Sequence, residues 1–184
     1  MVARHYYPGA LAPRMEMDME FARTATLIVA TVAVGVFAGV FFIYSNAIMP
    51  GLAKTDDRTF VGAFQQIDTA IINPLFLMTF MGALVVTGVA AGLHLGEDHR
   101  SVLPWIAIAL VLYLAVVVAT LTINVPLNDQ IKAAGDPDRI SDLSAVRTQF
   151  NEARWLASNH FRTIATTAAF ACLTWALVLL GRLD

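Results

Sequence analysis

Four long apolar runs, at about 22–44, 67–93, 102–124 and 155–180, constrain this chain more than any motif in it. Inside a bilayer no water satisfies a backbone N–H or C=O, so a spanning segment must bond its own backbone as a helix or as part of a closed barrel. A helix over 22–44 reaches roughly 34 Å at 1.5 Å per residue, enough for a hydrocarbon core of about 30 Å. The predicted fold is therefore all-α: an integral membrane four-helix bundle with a long, partly helical connection between spans three and four. Composition agrees. Only 14% of the residues are charged and 58% are hydrophobic, with mean hydropathy +0.66, whereas soluble domains carry about 25% charged residues. A net charge of −2 with no basic run gives no pull on nucleic acid. The single cysteine, Cys172, lies in an apolar run and reads as a small packing residue. No C-x-x-C or H-x-x-x-H spacing marks a metal site.

Residues 1–21 are polar and broken by Pro8 and Pro13, and read as a flexible tail ahead of a single domain over 22–184. The first run is too long for the apolar core of a signal peptide. Gly35 and Gly39 in span one, and Gly82, Gly88 and Gly92 in span two, read as close-packing positions, chiefly within the chain, and they permit a homo-oligomer. Pro50 and Gly51 stop span one. Thr55 ahead of two acids marks an N-cap near that point, for a helix that begins near Asp57, enters the bilayer around Ile67 and bends at Pro74. Residues 93–101 read as a solvated turn, with His94 and His99 poorly spaced for a metal. Pro126 ends or kinks span three, and residues 141–154 form a short amphipathic helix leading straight into span four. Lys and Arg near the span ends slightly favour the loops near 56 and 140 on the inside.

Uncharged polar residues collect at one end. Ser45 and Asn46 close span one, Asp68 and Asn73 open span two, Asn124 and Asn128 close span three, and Asn159, His160 and Arg162 open span four. Antiparallel threading brings all four groups to one membrane level. Trp155, Asn159 and Arg162 are spaced i, i+4, i+7 and share a helical face. A guanidinium at such a place is costly without a partner, so it faces either the headgroups or a polar pocket inside the bundle. The inward reading gains from the polar residues that arrive at the same end.

The stretches Gly39-Val-Phe-Phe-Ile-Tyr-Ser45-Asn46-Ala-Ile-Met49-Pro50-Gly51, Ile71-Ile-Asn73-Pro74-Leu-Phe, Asn124-Val-Pro126-Leu-Asn128 and Trp155-x-x-x-Asn159-x-x-Arg162-Thr163 resemble the anthrone-oxygenase-like family of small four-span membrane proteins. The resemblance runs from about residue 25 to 180. It implies the four-span fold and, through some fungal members, oxidation of anthrones to anthraquinones with no metal or flavin. The family's proposed catalytic histidines find no counterpart in His94 or His160.

Two functions fit. In the first, the chain is an oxygenase without a cofactor, acting on an apolar aromatic carbon acid. Asp68 is then the candidate base, with His160 second. Arg162, Asn159 and Asn73 hold the developing oxyanion, Trp155 and Phe64 stack on the rings, and Asn46, Asn124 and Asn128 complete the pocket. In the second, the polar cluster is structural, with Asp68 or Asp129 paired to Arg162, and the bundle is a scaffold, an accessory subunit or a lipid- or small-molecule-binding protein. Transport fits less well, since four spans are few and no repeat is visible. The expected setting is a lipid bilayer, with the cell membrane as the location.

Overall fold

The computed structural model describes residues 12–96 and 99–183, and its regular elements are all helical. Four segments are long and apolar enough to cross a membrane: Arg14–Leu52, Pro74–Leu93, Leu103–Ala133 and Leu143–Leu180. The first comprises α1 (Ala12–Ile43), a π turn (Tyr44–Ile48) and α2 (Met49–Leu52). An amphipathic helix, α3 (Asp57–Ile71), precedes the second span, α4 (Pro74–Leu93). The third comprises α5 (Leu103–Ala119), a π turn (Thr120–Asn124) and α6 (Val125–Ala133). After α7 (Leu143–Phe150) comes the helix of the fourth span, α8 (Glu152–Leu180).

The spans form a square. α1 and α5 each pack on both α4 and α8, which stand diagonally opposite one another. Their shared core includes Leu27, Val34, Phe37, Phe80, Ile106, Tyr113, Ala169 and Leu173. A Cβ on residue 35 would come within 2.8 Å of the Phe170 ring, so α1 meets α8 there only because Gly35 has none. The other expected packing glycines do not serve this way: a Cβ on Gly39, Gly82, Gly88 or Gly92 would meet nothing within 4 Å. The buried face of α4 is instead Phe80, Ala83, Thr87 and Ala90, at helical spacing.

A second, smaller core caps one end of the bundle. Phe60 and Phe64 of α3, Leu127 and Ile131 of α6, Phe150 of α7 and Trp155 of α8 pack together there. Arg147 ties the cap to the loop after α2, donating to Thr55 O and Ala53 O, pairing with Asp57 and Glu152, and lying 4.3 Å from the Phe60 ring centroid. Arg58 pairs with Asp138 across the same cap.

Several boundaries differ from those read in the sequence. α1 starts at Ala12 rather than residue 22, because its polar turns are held by Arg23, which pairs with Glu20 and donates to Leu93 O at 2.9 Å. The remainder of the expected tail, 1–11, lies outside the described residues. Asp56, one position after Thr55, caps α3 and accepts from Thr59 N–H. Asn73-Pro74 is a break between two helices, not a bend within one. Asn73 is extended and its Oδ1 accepts from Phe76 N–H, while Pro74 begins α4 where no amide donor is needed. The amphipathic helix before span four does not run straight on either. Asn151 takes a left-handed conformation (φ 53°) and turns the corner, capping α8 through Arg154 N–H. The turn after α4 is not a solvated one at its histidines: His94 and His99 are both buried, with ring centroids 5.2 Å apart.

The two π turns share a cause. Each is followed, after one residue, by a proline: Pro50 and Pro126. Met49 N–H reaches back five residues to Tyr44 O, and Val125 N–H does the same to Thr120 O. A proline ring clashes with the carbonyl four residues earlier in a regular α-helix, and a wider turn relieves the clash without breaking the span. Pro126 thus neither ends span three nor stops Asn124 and Asn128 from sharing its inner side.

Candidate functional site

Where the two cores meet, the bundle holds a cavity of about 410 Å³. Both π turns border it, supplying Tyr44 and Ile48 from one and Thr120, Leu121 and Asn124 from the other. Such turns rotate the side chains that follow them and often occur at functional sites. The wall is predominantly apolar and rich in aromatic rings, among them Phe41, Tyr44, Phe64, Phe76, Phe80 and Trp155. Phe64 meets the Trp155 ring edge-on at 5.9 Å, and the Tyr44 ring is tilted against Trp155 at 5.8 Å.

Arg162 is the polar feature that dominates this wall. It is only 6% exposed. Its Nη2 donates to Asn159 Oδ1 at 2.8 Å and its Nη1 to Thr120 Oγ1 at 3.3 Å. The guanidinium carbon sits 4.5 Å from the Phe41 ring centroid and 5.4 Å from that of Trp155. Desolvated contacts of this kind contribute about 2 kcal/mol each. Nε has no hydrogen-bond partner, and no acid pairs with Arg162 among the described residues. A guanidinium carries five N–H donors, and the bonds here engage Nη1 and Nη2 but not Nε.

The expected Asp68–Arg162 or Asp129–Arg162 pair does not form. Lys132, one helical turn beyond Asn128 on α6, reaches Asp68 first. Its Nζ lies 2.8 Å from Asp68 Oδ2 and 3.2 Å from Asp129 Oδ1. Asn128 Nδ2 donates to the other Asp68 oxygen at 2.6 Å. The Asp68 carboxyl group is thus buried, paired with a lysine, and part of the cavity wall.

The amides build the site more than they offer themselves to a ligand. Asn128 donates to Asp68 and accepts from Trp155 Nε1 at 2.7 Å. Asn124 donates to Trp155 O at 3.3 Å and accepts from Ser158 at 2.7 Å. Asn159 donates to Phe41 O at 2.9 Å and to Ser45 Oγ at 2.7 Å, and its oxygen positions Arg162. It stands behind the wall and does not line it.

Six of the residues singled out in the sequence therefore converge on the cavity: Asp68, Arg162, Trp155, Phe64, Asn124 and Asn128. Asn159 supports them from behind. Three do not join. His160 is exposed, because it follows Asn159 by about 100° around the helix and points away from the cavity side. Asn46 is exposed and bonds back to Phe42 O at 3.0 Å. Asn73 is committed to capping α4. Tyr44, Thr120 and Lys132 were not singled out. The signals that could have found them are Pro50 and Pro126 inside apolar runs, and the i, i+4 spacing of Asn128 and Lys132.

A protein-family model described as anthrone oxygenase matches residues 75–172, more than half of the 184-residue chain. No curated protein matches, and no solved structure does. The matched stretch takes in Thr120, Asn124, Asn128, Lys132, Trp155, Asn159 and Arg162, while Tyr44, Phe64 and Asp68 precede it. With its four membrane spans and the cavity around Arg162, the chain belongs to the anthrone oxygenase family.

Proposed function

We propose that the protein is an oxygenase of the cell membrane that takes a flat, apolar, anthrone-like carbon acid into this cavity and oxidises it with O2, using no resident cofactor. The observation that carries the reading is Arg162: a buried guanidinium with no acid partner among the described residues, on the wall of an aromatic cavity that also presents the Asp68 carboxylate. An anthrone loses a methylene proton readily because the resulting anion is aromatic across its central ring. Asp68 receives that proton, and Arg162 pairs with the oxyanion that forms on the substrate carbonyl. The electron-rich carbon then attacks O2, and the peroxide takes up a proton. Loss of water leaves the new carbonyl. The methylene carbon is oxidised by four electrons, and the two oxygen atoms end in the quinone and in water. Trp155 and Phe64 form the slot that orients the rings.

The test is anthraquinone formation by the protein reconstituted in lipid vesicles. The expected result is a rate well above the spontaneous oxidation seen with empty vesicles; a rate equal to the spontaneous one would sink the proposal. One observation favours a second reading, a non-enzymatic small-molecule- or lipid-binding protein: both Asp68 oxygens are engaged, by Asn128 and Lys132, as a strut between α3 and α6 would be. Asp68→Asn separates the two. A base gives folded protein that binds but does not turn over; a strut gives loss of folded protein.

A further inference from the structure

The cavity is covered at one end by the cap and bordered on one flank by exposed apolar side chains. Gln65 Nε2 donates to Ile131 O at 2.8 Å and to Gly135 O at 3.0 Å, fastening α3 to the end of α6. The Asp68–Lys132 pair adds a second fastening, and Phe60, Phe64 and Phe150 fill the space behind them. The flank between the start of α4 and the π turn after α5 is different. Four residues that line the cavity there are also surface residues: Ile72 is 48% exposed, Leu77 47%, Met81 43% and Leu121 56%. All four are apolar, and Leu77, Met81 and Leu121 lie within spans. α8 stands diagonally across the bundle from α4, and Arg162 reaches from it to Thr120, in the turn that also carries Leu121.

We infer that the gap bordered by Ile72, Leu77, Met81 and Leu121 is a lateral portal through which the cavity is loaded from the bilayer, with an apolar aromatic weak acid that enters from lipid and comes to rest with its acidic oxygen on Arg162. This rests on the proposed site but not on its oxygen chemistry. An apolar acid concentrates in the bilayer in its neutral form, slides past four apolar side chains without being desolvated again, and ionises only inside the cavity, its proton passing to the Asp68 carboxylate and its oxyanion pairing with the guanidinium. Loading through the cap would require breaking the Gln65 and Lys132 fastenings and exposing the second core to water.

The probe is 1-hydroxypyrene, a lipid-soluble phenol that is not a substrate for methylene oxidation and whose phenolate emits to the red of the neutral form. Proteoliposomes of phosphatidylcholine are mixed with vesicles carrying the probe at a pH where the lipid-dissolved phenol is neutral. Wild-type protein should develop phenolate emission, and Arg162→Met should not. Arg162→Lys, which keeps the charge, should retain it and guards against misreading an unfolded variant. Leu77→Trp with Leu121→Trp, both at lipid-exposed positions, should slow the rise roughly tenfold. Leu77→Trp alone should slow it less. Gln65→Leu, which loosens the cap, should leave the rate unchanged. An absent phenolate signal in wild type, an unaltered rate in the double variant, or faster loading in Gln65→Leu would each overturn the portal. Normal loading in a protein that turns over no anthrone would leave the portal standing and remove the oxygenase reading. Unaltered loading in the double variant with turnover intact would do the reverse.

Discussion

Arg162 is held by neutral groups alone: an amide, a hydroxyl and two aromatic faces. That arrangement separates its functional role from a structural one. Removing one member of a buried ion pair costs several kcal/mol because the other charge is stranded. Arg162 has no such partner among the described residues, so Arg162→Met strands no charge; the lost ring contacts and the lost bond to Asn159 Oδ1 are offset in part because a guanidinium is no longer buried, and the unfolding temperature should fall only modestly. Its anthrone turnover should fall by about 10²–10³, the usual effect of removing one oxyanion donor. Thermal unfolding in detergent alongside a turnover assay checks both halves. Asn128 behaves oppositely, since it serves Asp68 and Trp155 at once. Asn128→Leu leaves Asp68 Oδ1 and Trp155 Nε1 without their hydrogen bonds, though Lys132 still pairs with Asp68 Oδ2, and should cost about 1–3 kcal/mol for each orphaned atom, seen as a lower unfolding temperature. His94, outside the spans, adds a pH dependence. Burial depresses its pKa below the ordinary value of about 6.5, with the nearby His99 adding to the effect and the Ala90 carbonyl opposing it. A depressed histidine favours the folded state above its unfolded pKa, and that stability is lost as pH falls below about 6.5. Unfolding temperature should therefore drop between pH 7 and pH 5, and His94→Leu should flatten the drop.

At the scale of elements, the π turns decide which side chains meet. Tyr44, Thr120 and Asn124 line the cavity because Pro50 and Pro126 force the two wide turns just before them. Pro126→Ala removes the clash and lets span three relax to a regular α-helix. Thr120 would then turn away from Arg162 Nη1. Turnover should fall by about tenfold with little change in stability, since a freed proline site in a helix regains one hydrogen bond. Unchanged turnover would mean that the turn is set by something other than the proline. Helix existence was legible in the sequence at this scale, and so was the face shared by Trp155, Asn159 and Arg162, because apolar periodicity and i, i+4, i+7 spacing are local properties. Asn73-Pro74 was harder. An Asn-Pro pair in an apolar stretch fits an internal kink as well as a cap followed by a first-turn proline, and only the extended backbone at Asn73 decides. The π turns left a mark, proline inside a span, but that mark does not say whether a helix kinks, ends or widens.

For the whole molecule, antiparallel threading of four spans was enough to bring the polar groups to one end, so the position of the site was readable before its contents were. The pairing inside it was not. Asp68 belongs to Lys132 and not to Arg162 because α6 continues the third span past the membrane-spanning core and folds over α3, a long-range placement that no local pattern encodes. That same placement leaves Arg162 without an acid partner among the described residues and covers one end of the cavity with the cap. The most direct test is turnover of anthrone under ¹⁸O2 in proteoliposomes, comparing wild type with Arg162→Met. The expected result is anthraquinone carrying one ¹⁸O in the new carbonyl, formed well above the empty-vesicle rate by wild type and at close to that rate by the variant. Equal rates from wild type, Arg162→Met and empty vesicles would contradict the assignment of this cavity as an oxygenase site.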